Sequence, residues 1–338
     1  MPIAPYRNLR SAPLGWWLRL LRPLKPDVLV LSKGAFDLRS AALDLAARIV
    51  ARRYVTVEHH PAALPPPRTS RRHLGGLVPG LALWWWRYHG LERVRGRAHV
   101  AAPHRVITDS RRVTDLLVRY YRLDLSKTFL VPWGVDPAVF AFRAEARAEL
   151  RARWSIPPAA LVLGSVGRLE PVKAPERAVR AFAAVRRHLP ALDTWLVLAG
   201  TGSQLEPVRS LAADLGVADR VITPGFVARA ADALAALDVY VMPSREEGLG
   251  MALLEAMACE RACVAMHSGG PADILTRPEL GWLTPADDEP AFTDAVLAAV
   301  RRDASGRAAM GRAARAHVKQ HFDFARQVGR VAELVVSA

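Results

Sequence analysis

The sequence is poor in cysteine, in lysine and in long apolar runs, and each shortage excludes something. Two cysteines in 338 residues, Cys259 and Cys263, cannot build a disulfide framework or fill a zinc site by themselves. They lie four positions apart, on or just after a segment expected to be helical, and read as small buried residues rather than a redox pair. The longest apolar stretch, within Gly75–Trp86, is broken by Pro79 and falls short of the ~20 residues a membrane-spanning helix needs. The N-terminal residues scatter arginines among apolar positions. An export signal runs basic, then apolar, then small, so a cytoplasmic chain is expected. No low-complexity tract interrupts a chain that is 51% hydrophobic, which excludes a disordered protein. Lysine occurs only at Lys25, Lys33, Lys127, Lys173 and Lys319, so a lysine in a motif is more informative than one of the many arginines.

What the chain has is length for about two domains and a charge that is unevenly placed. The formal net charge is +15, and residues 1–150 hold 25 Lys and Arg against 11 Asp and Glu, whereas residues 151–338 hold 22 against 21. One half is strongly basic and the other nearly neutral, so different partners are expected for each. Trp16, Trp17, Trp84, Trp85 and Trp86 fall in the basic half, interleaved with Arg19, Arg22 and Arg87. Trp with Arg suits an anionic membrane surface, and equally suits a core or domain contact, and both readings stay open. No nucleic-acid module is present and the tryptophans are clustered rather than spaced as stacking platforms, so no nucleic-acid partner is expected.

Short β-rich runs alternate with helical patterns. Strands are expected at 27–31, 54–57, 105–108 and 128–131. Helices are expected at 40–52, over 81–102, and from the cap Asp109-Ser110 to about Tyr121. Residues 62–76, rich in Pro, Arg and Gly, read as a loop, and the charged segment 137–157 reads as a boundary. The alternation restarts with strands at 161–167, 194–199, 220–223, 239–242 and 262–266, separated by helices, and ends in a helical stretch over 289–336. This is an α/β pattern of two parallel-sheet domains in tandem, 1–150 and 151–338, with ligands expected beyond the strand C-termini and in a cleft between the domains.

Two constellations carry chemistry. In Pro243-Ser244-Arg245-Glu246-Glu247-Gly248-Leu249-Gly250-Met251, a strand runs through a Gly-flanked turn into a helix that contains Glu255. Gly248 and Gly250 let the backbone approach a ligand closely, and the free N–H groups of a first helical turn suit a phosphate. Carboxylates accept hydrogen bonds only, which suits sugar hydroxyls, so phosphate donors flanked by Glu247 and Glu255 fit a nucleotide sugar. An ordinary acidic helix start gives the same pattern. In Gly164-Ser165-Val166-Gly167-Arg168-Leu169-Glu170-Pro171-Val172-Lys173, Arg168 follows a strand end and Lys173 opens the next helix. Two cations at one strand mouth can clamp a diphosphate leaving group, and surface charge is the competing reading.

Together these residues resemble the family-four retaining glycosyltransferases of the GT-B fold, most closely over 160–325. GRLEPVKAPERAVRAFAAV is similar to the family's G-R-L-x-x-x-K-G stretch, and PSREEGLGMALLEAMA to its E-x7-E signature through Glu247 and Glu255. LVLAGTGSQLEPVRSLAADLGVADRVITPGFV resembles the family's Gly turn, helix and following strand, and SGGPADIL its GG-x-x-E element with Asp273 in place of Glu. The resemblance implies that Arg168 and Lys173 bind the donor diphosphate and that Glu255 holds the ribose. It implies that Glu247 contacts the transferred sugar beside the backbone N–H groups of Gly248, Leu249 and Gly250. It also implies that no metal or other cofactor takes part. The acceptor would be a glycan or a lipid-linked molecule.

The basic half resembles the family less closely, through KPDVLVL, VTVEHHP, VITDS and VPWGVDPAVF. Trp133 stands where the family has Asn, and Ala174 where Gly follows the lysine. His59 or His60 matches the family's active-site histidine, and His59 comes first after the strand. Only 24 residues precede Lys25, and none forms the Gly-rich loop that the family places before this strand. An N-terminal domain lacking its first β-α-β unit is therefore expected. With it comes a competing expectation: a non-catalytic remnant or partner subunit that keeps nucleotide-sugar binding. Such a remnant would expose a sheet edge.

Overall fold

The computed structural model describes residues 13–33, 41–59 and 96–337. The expectations for Trp84, Trp85, Trp86, the loop 62–76 and His60 lie outside them. The chain divides into two compact units, Met1–Pro132 with Gly329–Ala338, and Trp133–Val328.

The first unit is built on β1 (Val28–Lys33), β2 (Arg53–Glu58), β3 (Arg105–Thr108) and β4 (Thr128–Leu130), all parallel and adjacent in chain order. Val30 lies opposite Val55, and Val57 opposite Ile107. β2 is buried from Tyr54 to Glu58, as a central parallel strand with no polar face should be. A helix at Leu14–Leu21, which the scattered arginines hid, packs Trp17 and Leu21 with Leu43 and Ala46 of the helix Ala41–Val50. The Trp16–Trp17 pair therefore divides its roles: Trp17 is buried in this cluster, and Trp16 lies edge-on to it at 4.7 Å and is partly exposed. Ser110 caps the helix Arg111–Tyr121 by accepting from the Val113 N–H at 3.3 Å. The last helix, Phe324–Val336, ends in this unit. Arg105 donates to the carbonyls of Leu334 and Ser337, each at 2.7 Å, and so satisfies the free acceptors of that helix end. No described helix is long and apolar enough to cross a membrane.

The second unit is a six-stranded parallel sheet of β5 (Leu161–Val166), β6 (Thr194–Ala199), β7 (Val221–Gly225), β8 (Val239–Met242), β9 (Ala262–Met266) and β10 (Trp282–Thr284). Its order is β10-β9-β8-β5-β6-β7. Successive side chains point to opposite faces. Val162, Val197, Tyr240 and Cys263 enter one core, and Leu163, Leu196, Val239 and Val264 the other. That is why these strands read as unbroken apolar runs. β10 is only three residues long and carried no strand signal that the sequence reading picked out.

The charged segment 137–157 contains a helix, Ala144–Arg153, integral to this unit. Its high Arg content has a structural use. Arg147 and Arg151 each pair with Asp238, at 2.7 and 2.8 Å, while Arg151 also donates to the carbonyls of Ala236, Pro158 and Ala160. Burial opposes the Asp238 charge, but the two guanidiniums outweigh it and hold the carboxyl below its usual range. Cys259 and Cys263 are free and buried, and burial pushes the Cys259 thiol up to about 12.

Candidate functional site

The strand order of the second unit reverses at β5. The chain winds from β5 to β6 and β7 on one side, then returns to place β8 against the other side of β5, with Gly164 opposite Tyr240. In such sheets a crevice opens where connections diverge, beyond the strand C-termini. The loops leaving β5 and β8 are the two that carry the sequence constellations.

After β5 the backbone passes Gly167 and Arg168 into a short 3₁₀ turn, Pro171–Lys173, and the helix Pro175–His188 begins beyond it. Lys173 thus precedes the helix instead of opening it. Ala174 separates the two elements in a left-handed conformation, φ 50° and ψ 49°. Glycine adopts that conformation without penalty, which gives a physical reason for the glycine that the family resemblance leads one to expect there. The turn after β6 packs directly on the loop after β5. A Cβ at Gly200 (φ 148°) would lie 1.7 Å from the Gly167 carbonyl oxygen, and one at Gly202 2.2 Å from that of Leu169. Glu170 is fixed by Ser203, which donates its backbone N–H at 3.3 Å and its hydroxyl at 2.7 Å.

After β8, Ser244 and Glu247 are buried. The Lys173 ammonium donates to both carboxylate oxygens of Glu247, at 2.8 Å to Oε1 and 2.7 Å to Oε2. The Ser244 hydroxyl donates to the same Oε1 at 2.7 Å. The Glu247 N–H donates to the Ser268 carbonyl at 2.9 Å, which ties the loop to the end of β9. Gly250, at φ 99°, turns the chain into the helix Met251–Ala258 with no side chain capping it. A Cβ at Gly270 would meet the Gly248 carbonyl oxygen at 2.2 Å, so the Gly269-Gly270 turn supports this loop from behind.

The structure therefore brings Lys173 and Glu247 together at the switch point, with Gly248, Leu249 and Gly250 immediately beyond. Among the described residues, the N–H groups of these three are not spent on hydrogen bonds. Arg168 is exposed, and it too makes no hydrogen bond or ion pair there. Glu255, on the helix, likewise has no side-chain partner among the described residues, and burial raises its carboxyl above the usual range. His59 belongs to the other unit, at the end of β2, where its Nε2 lies 2.5 Å from the Ser32 hydroxyl. Burial lowers the imidazole, with Glu58 acting in the opposite direction. Three residues of the site were not singled out from sequence: Ser244, Arg245 and Ser268. Ser244 and Arg245 stand inside a quoted motif, but nothing in the spacing says what they touch.

The family model for glycosyl transferases group 1 matches residues 160–302, which span β5 to the helix after β10. The chain is 36% identical, over 244 residues, to a D-inositol 3-phosphate glycosyltransferase of Saccharomonospora viridis, covering 69% of this chain and 56% of that protein. A GDP-mannose-dependent alpha-(1-6)-phosphatidylinositol monomannoside mannosyltransferase of Mycolicibacterium smegmatis is 36% identical over 217 residues, covering 61% of this chain and 55% of the relative. The chain spans about half the length of the curated relatives it matches. Among solved structures, HepE from Anabaena in complex with UDP has a TM-score of 0.78 at 18% identity, covering 96% of this chain and 82% of HepE. Sucrose-phosphate synthase from Thermosynechococcus elongatus has a TM-score of 0.73 at 20% identity, covering 98% and 79%. The fold is that of the GT-B glycosyltransferases, α/β with two parallel sheets.

Proposed function

We propose that the protein transfers a sugar from a nucleotide-diphosphate sugar to a glycan or lipid-linked acceptor, with retention of configuration. The observation that carries this reading is the meeting of Lys173 and Glu247 where the strand order reverses, inside the family-matched segment. Lys173 and the exposed Arg168 receive the diphosphate and neutralise the charge that develops as it leaves, the part a metal ion plays in other transferases. The free N–H groups of Gly248, Leu249 and Gly250 meet the phosphate and sugar oxygens. Glu247 orients the transferred sugar through its hydroxyls, and Glu255, a carboxylate with no side-chain partner among the described residues, accepts from the ribose. The family resemblance implies an active-site role for His59, and burial holds its imidazole below the usual range.

The test is donor hydrolysis and transfer with a panel of nucleotide sugars, in the wild type, Glu247→Ala and Lys173→Ala. Loss of turnover in both variants is expected, and unchanged rates in both would refute the assignment. Nucleotide binding in a wild type that never turns over would favour a non-catalytic nucleotide-sugar-binding subunit instead.

The relatives named for inositol phosphate and phosphatidylinositol mannoside substrates favour an acceptor of that polar, phosphate-bearing kind. Leu20, Leu24, Leu45 and Ile49 are exposed on or beside the two packed N-terminal helices, among exposed Arg19, Arg22 and Arg48. That mixture suits the surface of an anionic membrane. Sedimentation with phosphatidylglycerol vesicles should retain the protein at low salt and release it at high salt. Equal retention on neutral vesicles would refute the reading.

A further inference from the structure

Arg245 has no part in the scheme above, yet three of its donors reach residues on both sides of Lys173. Its backbone N–H donates to the Val172 carbonyl at 2.8 Å, and Nη1 to the Pro171 carbonyl at 2.7 Å. Nη2 pairs with Glu176 Oε1, at 2.6 Å, in the first turn of the following helix. We propose that Arg245 is a positioning residue, which holds the Pro171–Lys173 turn so that Lys173 faces Glu247 and thereby sets the affinity for the donor diphosphate. This rests on the donor-site reading given under Proposed function.

The turn needs such a tie. It is three residues of 3₁₀ helix, a form with poor hydrogen-bond geometry, and its N-cap residue Glu170 makes no side-chain cap. It closes on Ala174 at φ 50°, a conformation that an L residue with a Cβ adopts at a cost. A glycine there would let the turn close unaided, and here contacts from outside the turn oppose its opening. Arg245 supplies them from two positions before Glu247, so one loop fixes both members of the Lys173–Glu247 pair. The guanidinium suits the task because it is a planar fork, with one arm on a carbonyl and the other on a carboxylate in fixed directions. A lysine at the same place offers a single ammonium and cannot hold both partners in that geometry.

The test is calorimetric binding of UDP and GDP, and of the matching monophosphate, to the full chain in four forms: wild type, Arg245→Ala, Lys173→Ala and the double variant. Arg245→Ala should weaken diphosphate binding about tenfold and monophosphate binding less than about twofold, since only the diphosphate reaches Lys173 fully. Because Arg245 acts through Lys173, the double variant should bind the diphosphate as Lys173→Ala alone does. Arg245→Lys should not restore binding. Three results would overturn the proposal: diphosphate affinity unchanged in Arg245→Ala, equal loss for the mono- and diphosphate, or an undiminished additional loss in the Lys173→Ala background. A wild type that binds neither UDP nor GDP, or a Lys173→Ala variant that binds as tightly as wild type, overturns the donor-site reading itself. That outcome is distinct from a failure of Arg245 alone.

Discussion

Glu247→Gln should bind nucleoside diphosphate more tightly than the wild type while losing transfer. Without donor, two of the three Lys173 N–H groups are spent on Glu247, at 2.7 and 2.8 Å. A diphosphate arriving at Lys173 must share that ammonium and must also approach a carboxylate. Unit charges 4 Å apart interact by ~4 kcal/mol at an effective dielectric of about 20, which bounds the effect from above. The Lys173 side chain is 32% exposed and that of Glu247 only 7%, so the pair is screened from one side. Exposed pairs contribute under ~1 kcal/mol and breaking buried ones costs ~3–5, so an intermediate pair returns about 1–1.5 kcal/mol to the ligand, close to tenfold in Kd. Glutamine keeps the side-chain length and an oxygen to accept from Ser244, so the loop survives the change. The sugar meanwhile loses a charged acceptor, and transfer should fall at least ~100-fold. Calorimetry with UDP and GDP, paired with a transfer assay on the same preparation, reads both effects. Raising the salt should shrink the difference in affinity between the two forms. Equal or weaker diphosphate binding by a Glu247→Gln protein with wild-type Tm would refute the reasoning.

Asp238→Ala leaves Arg147 and Arg151 unpaired, the latter with its side chain 3% exposed, and should destabilise by ~3–5 kcal/mol in denaturant titration. Because the Asp238 carboxyl is held low in the folded state, its contribution is present above the unfolded value near pH 4 and disappears as pH falls through the folded one. Gly200→Ala drives a Cβ into the Gly167 carbonyl and should cost more than ~3 kcal/mol, whereas Gly216→Ala, at φ 67° with open space, should cost only ~1 kcal/mol in the same assay. His317 is buried, and burial, with His321 and Arg277, pulls it down to about 4. The unfolded chain takes up that proton first, so Tm should fall as pH drops from about 6.5 towards 4 and then level, and His317→Leu should flatten that slope.

Much of the second unit was legible because its signals are local. The strands at 194–199, 239–242 and 262–266 are uninterrupted apolar runs that both sheet faces bury, and the glycines mark the turns where loops touch. Elements were missed where the local pattern is weak. β10 has three residues, and the helix Ala144–Arg153 reads as a charged spacer until Arg147 and Arg151 are seen against Asp238. The helix Leu14–Leu21 carries one arginine, Arg19, on its outer side while Trp17 and Leu21 go inward, and the arginines around it hid its apolar face.

By itself the sequence determined the α/β alternation, the motif spacing and the identity of the charged groups: Arg168, Lys173, Glu247 and Glu255. Spacing along a chain is set by local geometry, so short-range periodicity and turn chemistry suffice for it. Only the tertiary structure decided that β8 lies beside β5. That adjacency brings Lys173 within 2.8 Å of a carboxylate 74 residues away, and it places Arg245 across the turn that carries the lysine. Strand order is a property of the whole sheet, chosen by which faces bury one another, and no window of sequence contains it.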